Sequence, residues 1–175
     1  QLPYGSDIEW WVSVYDGILT TISDKYNFII PESIKYKGPI WYVSKLGNDL
    51  IADGSQIYPF NEIQKAIVSS NNLDSIFVSG GVYFENLTWQ NKAISIIGLS
   101  NEVITINGSG RNSVMSFGES QINESYFIPD TNRIENIILT NGSSEISAGG
   151  IFIGNGNFIL KNCTILNSEE GTGLQ

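Results

Sequence analysis

An all-β fold is predicted for this chain: a parallel β-solenoid, closed at its N-terminal end by one α-helix and preceded by a β-hairpin. Three features predict it. From Ile76 onward, short apolar runs alternate with Asn, Gly and Ser, and no helical period appears after Ser70. Directly upstream lies a single one-sided helical pattern, from about Pro59 to Ser70. Finally, ENIILTNG (Glu135 to Gly142) matches KNCTILNS (Lys161 to Ser168) at an offset of 26 residues, with Asn136 over Asn162 and Asn141 over Asn167. An offset of that size fits one turn of a three-faced coil.

The first element is the hairpin. Ile8, Trp10, Val12 and Val14 alternate with Glu9, Trp11, Ser13 and Tyr15, the period of a strand with one face buried. Asp16-Gly17 supplies a turn, and Tyr26, Phe28 and Ile30 alternate as a second strand. Two strands do not close a sandwich, and an isolated hairpin is marginal in water. Either the rest of a sandwich lies upstream of Gln1, or the hairpin docks elsewhere; the simpler alternative is an exposed hairpin used as an edge. Residues 32–40, which overlap PESIKYKGP (Pro31 to Pro39), read as a linker, because proline interrupts a strand ladder.

Trp41 to Val43 then forms a short strand ahead of a Gly/Asn/Asp loop. In the helix that follows, Phe60, Ile63, Ala66 and Ile67 share one face, opposite Asn61, Glu62, Gln64 and Lys65. Pro59 suits its first turn, where an amide hydrogen has no partner. Such a helix is expected to plug the open end of the solenoid, hiding apolar surface and unpaired strand backbone. The alternative is a helix packed on an open sheet. The expected strands are Ile76 to Val78, Val82 to Leu87, Ala93 to Ile97, Val103 to Ile106, Val114 to Phe117, Ile134 to Leu139, Ile151 to Ile153, Phe158 to Leu160 and Cys163 to Leu166. Residues 118–132 interrupt the spacing as a projecting loop, with Tyr126 and Phe127 placed to fold back on the wall. Asn136 and Asn162 are expected to form a ladder, their amides bonding from one turn to the next.

Composition narrows the chemistry. The 175 residues are 41% apolar and 15% charged, with 18 Gly and a net charge of −9. Low charge with abundant Asn, Ser and Gly is common in secreted all-β proteins. The acidic balance disfavours nucleic acid and anionic membrane surfaces, and no apolar run is long enough to span a bilayer. Histidine is absent and Cys163 is the one cysteine, which excludes Cys/His zinc sites, Ser-His-Asp triads, Cys-His dyads and an internal disulfide. Cys163 matches an inward position and reads as a core residue rather than a nucleophile.

Residues 41–175 resemble the N-terminal part of a right-handed parallel β-helix of the pectate-lyase-like superfamily. The opening WYVSKLGNDLIADG, followed by YPFNEIQKAI and SIFVSGGVYFENL, is similar to the start of many secreted members, and GGIFIGNGNFILKNCTILNS resembles the repeats of β-helical surface proteins. Residues 1–31, through EWWVSVYDGILTTISDKYNFII, resemble the last two strands of a fibronectin type III or immunoglobulin-like module. The first resemblance implies a fold and leaves function open, since lyases, glycosidases, epimerases and non-catalytic surface proteins share the scaffold. Where members are enzymes, it implies an active site on an outer face of the middle coils, beyond most of this chain. Lys92, Arg111, Arg133 and Lys161 are the bases after the helix; Asp130 and Glu169-Glu170 are isolated acids, and no catalytic residue is assigned.

Candidate binding residues remain. Asp49 and Asp53 in the Gly-rich loop are calcium candidates; the alternative is that they hydrogen-bond their own turn amides. Trp89 and Tyr83, with Trp11 and Trp41, are candidates to stack on sugar rings; the alternative is packing. Gly80-Gly81 and Gly149-Gly150 precede no helix and read as turns rather than phosphate cradles. Asn-x-Ser/Thr triplets stand at Asn86, Asn107, Asn123, Asn141 and Asn162. The expected whole is a fragment of a modular extracellular or cell-surface protein, structural, adhesive or polysaccharide-binding, whose partner is a polysaccharide or another surface protein. The alternative is the N-terminal part of an extracellular polysaccharide lyase or glycoside hydrolase. Further coils or a partner are expected past the C-terminal end, because open solenoid ends invite association.

Overall fold

The computed structural model describes residues 7–29, 36–99, 101–118, 130–145 and 148–170. It is mostly β, with parallel sheets and one helix. The chain divides into two compact units, Gln1–Lys35 and Tyr36–Gln175. The projecting loop, Tyr126, Phe127 and Asn123 fall largely or wholly outside the described residues.

In the first unit, β1 (Asp7–Trp10) pairs antiparallel with β4 (Tyr26–Ile29), and β2 (Ser13–Tyr15) with β3 (Thr20–Ile22). The long strand expected from Ile8 to Val14 is therefore split at Trp11-Val12. Ser23 bridges the split, its amide donating to the Val12 carbonyl (2.9 Å) and its hydroxyl accepting the Val12 amide (3.0 Å). Asp16 closes the turn by accepting the Ile18 and Leu19 amides, which holds its carboxyl below the usual range. Among residues 7–28 no side chain is buried.

The second unit begins with β5 (Ile40–Val43) and α1 (Ile63–Ser69). Its remaining strands are β6 (Ser75–Val78), β7 (Gly81–Tyr83), β8 (Leu87–Trp89), β9 (Ser95–Gly98), β10 (Ile104–Asn107), β11 (Met115–Phe117), β12 (Thr131–Glu135), β13 (Ile138–Thr140), β14 (Ser143–Ser144), β15 (Ile151–Ile153), β16 (Asn157–Lys161), β17 (Thr164–Leu166) and β18 (Glu169–Glu170). They build a first sheet ordered β5-β6-β9-β12-β16, a second ordered β7-β10-β13-β17 and a third ordered β8-β11-β15, with β14 beside β18. All these pairings are parallel. From β6 to β17 the chain visits first, second and third sheet in rotation, with β14 inserted between β13 and β15. The last pass is in register with the one before at an offset of 26 residues: Glu135 lies beside Lys161, Leu139 beside Ile165 and Ser143 beside Glu169.

Alternation sends every second side chain to a common core. Trp41, Ile76, Ile96 and Ile134 stack across the first sheet, Tyr83, Ile106 and Leu139 across the second, and Leu87 and Met115 across the third. All belong to one buried cluster. Burying each such Ile or Leu is worth about 1.5–3 kcal/mol against leaving it in water. Trp89, Phe117 and Phe158 fill one corner, with Phe117 edge-on to Phe158 at 5.1 Å between ring centroids. In the last pass the inward Leu160 and Ile165 are exposed.

Two expected strands are divided. Val82 to Leu87 becomes β7 and β8, and Ile134 to Leu139 becomes β12 and β13, because Asn136 at φ 58° turns the chain between sheets. Helix α1 starts at Ile63, not Pro59. Phe60 is extended instead, its amide donating to Tyr42 (3.0 Å) and its carbonyl accepting the Ser44 amide (2.8 Å).

The chain also turns where backbones touch. A Cβ on Gly142 would lie 1.8 Å from the Gly149 carbonyl oxygen, whereas one on Gly110 (φ 66°) meets nothing within 4 Å. Gly142→Ala is therefore expected to destabilise by about 2 kcal/mol or more through backbone displacement, and Gly110→Ala by about 1 kcal/mol through its left-handed conformation alone. Urea unfolding midpoints of the two variants measure the difference; equal losses would remove close approach as the constraint at Gly142.

Candidate functional site

Alternation that fills the core also decides what faces water. On the outer face of the first sheet, Tyr42, Phe77, Ile97, Glu135 and Lys161 occupy consecutive register positions on β5, β6, β9, β12 and β16. The Tyr42 and Phe77 rings are 5.8 Å apart at 47°, and both are half-buried. At the other end of the row Glu135 is held by Arg133 Nε and, at 3.5 Å, by Lys161 Nζ. The carboxylate lies underneath, with 12% of its side chain exposed, while Arg133 and Lys161 expose 42% and 54%. An aromatic pair and a cationic pair thus share the outer face of one sheet.

The sequence-predicted sugar-stacking residues do not lie on any such wall. Tyr83 is fully buried and Trp89 is 7% exposed, so neither ring offers a face to a ligand. Both are inward positions. The Trp89 indole donates to Asn132 Oδ1 at 2.9 Å, and the Tyr83 hydroxyl to the Ser79 carbonyl at 2.9 Å. Trp41 is likewise buried, its indole donating to Asp74 Oδ2 at 2.8 Å. Trp11 is exposed, with the Lys25 ammonium 5.1 Å from its ring centre.

Asp49 and Asp53 serve the loop that carries them. Asp49 accepts the Asn61 amide at 2.7 Å and pairs with Lys65 at 3.0 Å; Asp53 accepts the Ser55 amide at 2.9 Å. Among the described residues no group of three or more His, Cys, Asp or Glu is placed to hold a metal ion.

Asn162 Nδ2 donates to Asn136 Oδ1 at 3.1 Å, and Asn136 Nδ2 to the Gly98 carbonyl at 3.1 Å. Both residues are left-handed, at φ 53° and 58°. Cys163 is half-buried rather than buried, and its thiol donates to the Ile134 and Lys161 carbonyls. Asn86 spends its amide on the Gly108, Asn112 and Ser113 carbonyls, which makes that triplet a turn brace.

A second set of charges belongs to the helix. The Glu85 carboxylate accepts the Ile63 and Gln64 amides at 2.9 and 2.8 Å, capping the start of α1 from the turn before β8. Lys92 donates to the Ile67 carbonyl and, at 2.7 Å, to the Ser70 carbonyl, holding the other end. Between them the Gln64 amide pairs with β8 as a strand would, exchanging 2.9 Å bonds with the Thr88 amide and carbonyl. Burial pushes the Glu85 carboxyl up, against the two amide bonds that favour its charge, and pushes the Lys92 ammonium down. Burial, reinforced by Glu85 and Glu102, lifts the Tyr83 hydroxyl to about 12, while the Lys45 ammonium sits 5.0 Å from its ring centre.

No family model matches this chain, and neither a curated protein nor a solved structure matches it.

Two outcomes follow. Asn136→Ala is expected to cost about 2 kcal/mol, from left-handed strain and the lost amide bonds, and Asn136→Gly about 1 kcal/mol, from the amide alone; thermal unfolding of both variants separates the contributions. Glu85 has a folded pKa above its ordinary 4.5, so its titration favours the folded state below that value and loses that contribution as pH rises through the folded pKa. The unfolding free energy of the wild type minus that of Glu85→Gln should accordingly fall between acid and neutral pH. A difference that rises would mean the amide bonds outweigh desolvation.

Proposed function

We propose that the second unit is the capped part of a right-handed parallel β-helix of the pectate-lyase-like kind, within a secreted or cell-surface modular protein. The first unit is then the end of a fibronectin type III or immunoglobulin-like module. The role is structural, adhesive or polysaccharide-binding. The observation that carries this reading is the register. Strands from successive passes lie side by side in each of three parallel sheets, and the last offset of 26 residues holds in the first sheet, the second and the short β14-β18 pair. A right-handed path agrees with the general rule for parallel crossovers.

Such a scaffold suits display. Inward positions are committed to the core, and outward positions form long walls whose composition varies freely. The wall bearing Tyr42, Phe77, Arg133 and Lys161 offers rings for the apolar face of a sugar and cations for its oxygens.

Incubation with uronate-containing and neutral polysaccharides, with and without calcium, tests the function. Retention on one polysaccharide without release of unsaturated or reducing ends is expected. Calcium-dependent cleavage would replace this reading with that of a polysaccharide lyase. Absence of both retention and cleavage would leave another protein as the partner.

A further inference from the structure

Asn-Gly occurs three times in the chain, at Asn107-Gly108, Asn141-Gly142 and Asn155-Gly156. Such a pair is open to attack of the glycine amide on the asparagine side chain, because glycine puts no side chain in the way. The three copies share this chemistry and differ in what the fold does to them. At the end of β10 both reacting groups are engaged. Asn107 Oδ1 accepts the Ser109 amide at 2.9 Å, and the Gly108 amide donates to the Thr140 carbonyl at 2.9 Å. After β13, Asn141 is left-handed, at φ 54°, and its carbonyl accepts the Gly110 amide at 2.7 Å. Closing a ring there must turn the Asn141-Gly142 peptide, and Gly142 lies against the Gly149 carbonyl with no room to turn. Asn155 is placed differently. It lies half-buried between β15 and β16, its side chain packed on Gly118. Among the described residues no hydrogen bond holds that side chain or the Gly156 amide. The fold also keeps the glycine in place: Gly156 sits at φ 97°, and a Cβ there would lie 2.9 Å from Phe117 Cε1.

We propose that Asn155 is a self-modification site, which converts to aspartate and isoaspartate in the folded protein while Asn107 and Asn141 are protected. The Gly156 amide nitrogen attacks the side-chain carbonyl carbon of Asn155. A new C–N bond closes a five-membered imide, the bond to the side-chain NH2 breaks, and the amide proton leaves with it as ammonia. One water then adds to either carbonyl of the imide, opening it to aspartate or isoaspartate and releasing a proton to solvent. Nothing is oxidised or reduced, and water is the co-reactant. Both products add a negative charge, and isoaspartate adds a carbon to the main chain. The change falls at the corner where the last pass returns from the third sheet to the first, two residues before Asn157 takes its place beside Thr131.

The whole chain is held at mildly alkaline pH, folded and in urea, and sampled over time. Peptide mapping that separates aspartate from isoaspartate reads each site, and labelling by an isoaspartate-specific methyltransferase identifies the second product. Folded, Asn155 should convert at least about tenfold faster than Asn107 and Asn141; in urea the three rates should come within about threefold of one another. Asn155→Gln, whose longer side chain needs a larger ring, should abolish conversion in that peptide and leave the other two unchanged. Conversion of Asn107 or Asn141 in the folded protein at the rate of Asn155 would overturn the protection assigned to them. A lead of Asn155 that persisted undiminished in urea would place the selectivity in local sequence and overturn the role of the fold. An Asn155 that stays intact when folded, while the urea sample converts, would overturn the site itself.

Discussion

The structure depends on one constraint: parallel strands from successive passes must keep register, so that inward positions meet inward positions in all three sheets. A slip of one residue would send Ile76, Ile96 and Ile134 to water and bring Phe77, Ile97 and Glu135 into the core. The chain guards the register at its corners. Asn136 and Asn162 turn it between first and second sheet in the same left-handed conformation, and their amides bond to one another. Gly142 allows two backbones to touch where a side chain has no room. Core packing then needs only apolar bulk at alternate positions, which the sequence supplies with Ile, Leu, Val and aromatic residues.

A stack of parallel strands exposes backbone at its first edge, and here side chains finish the ladder. Gln64 stands in for a strand beside β8, while Glu85 and Lys92 satisfy the two ends of a helix too short to be stable alone. Burying these charges opposes folding, as the raised carboxyl and lowered ammonium record. The opposition is tolerable because each charge meets backbone groups that would otherwise lack partners.

Much of this was legible in the sequence. The period of two, the isolated helix and the 26-residue match gave the strands, the parallel arrangement and the Asn136-Asn162 contact. The errors have physical causes. Propensity alone does not break Ile134 to Leu139, because a lone Asn in a left-handed turn looks like an Asn in a strand. Phe60 fits the apolar face of the helix by its spacing, yet its backbone completes a bridge to Val43, a contact between residues far apart in sequence.

Parity also explains why the sugar-stacking candidates were misplaced. Tyr83 and Trp89 both fall on the inward parity of their strands, with Leu87 two positions before Trp89 facing the same way. Tyr42 sits between Trp41 and Val43, and Phe77 between Ile76 and Val78; their neighbours occupy the core, so they must face out. An aromatic ring at an outward position adds little to the core and presents apolar surface to water, which no demand of the fold requires. Because the two parities are independent, the wall can change its chemistry without disturbing the packing beneath it. Two outward rings on adjacent strands, with Lys161 in the same row and Arg133 in the neighbouring one, both paired with the covered Glu135 carboxylate, are therefore set by demands other than core packing.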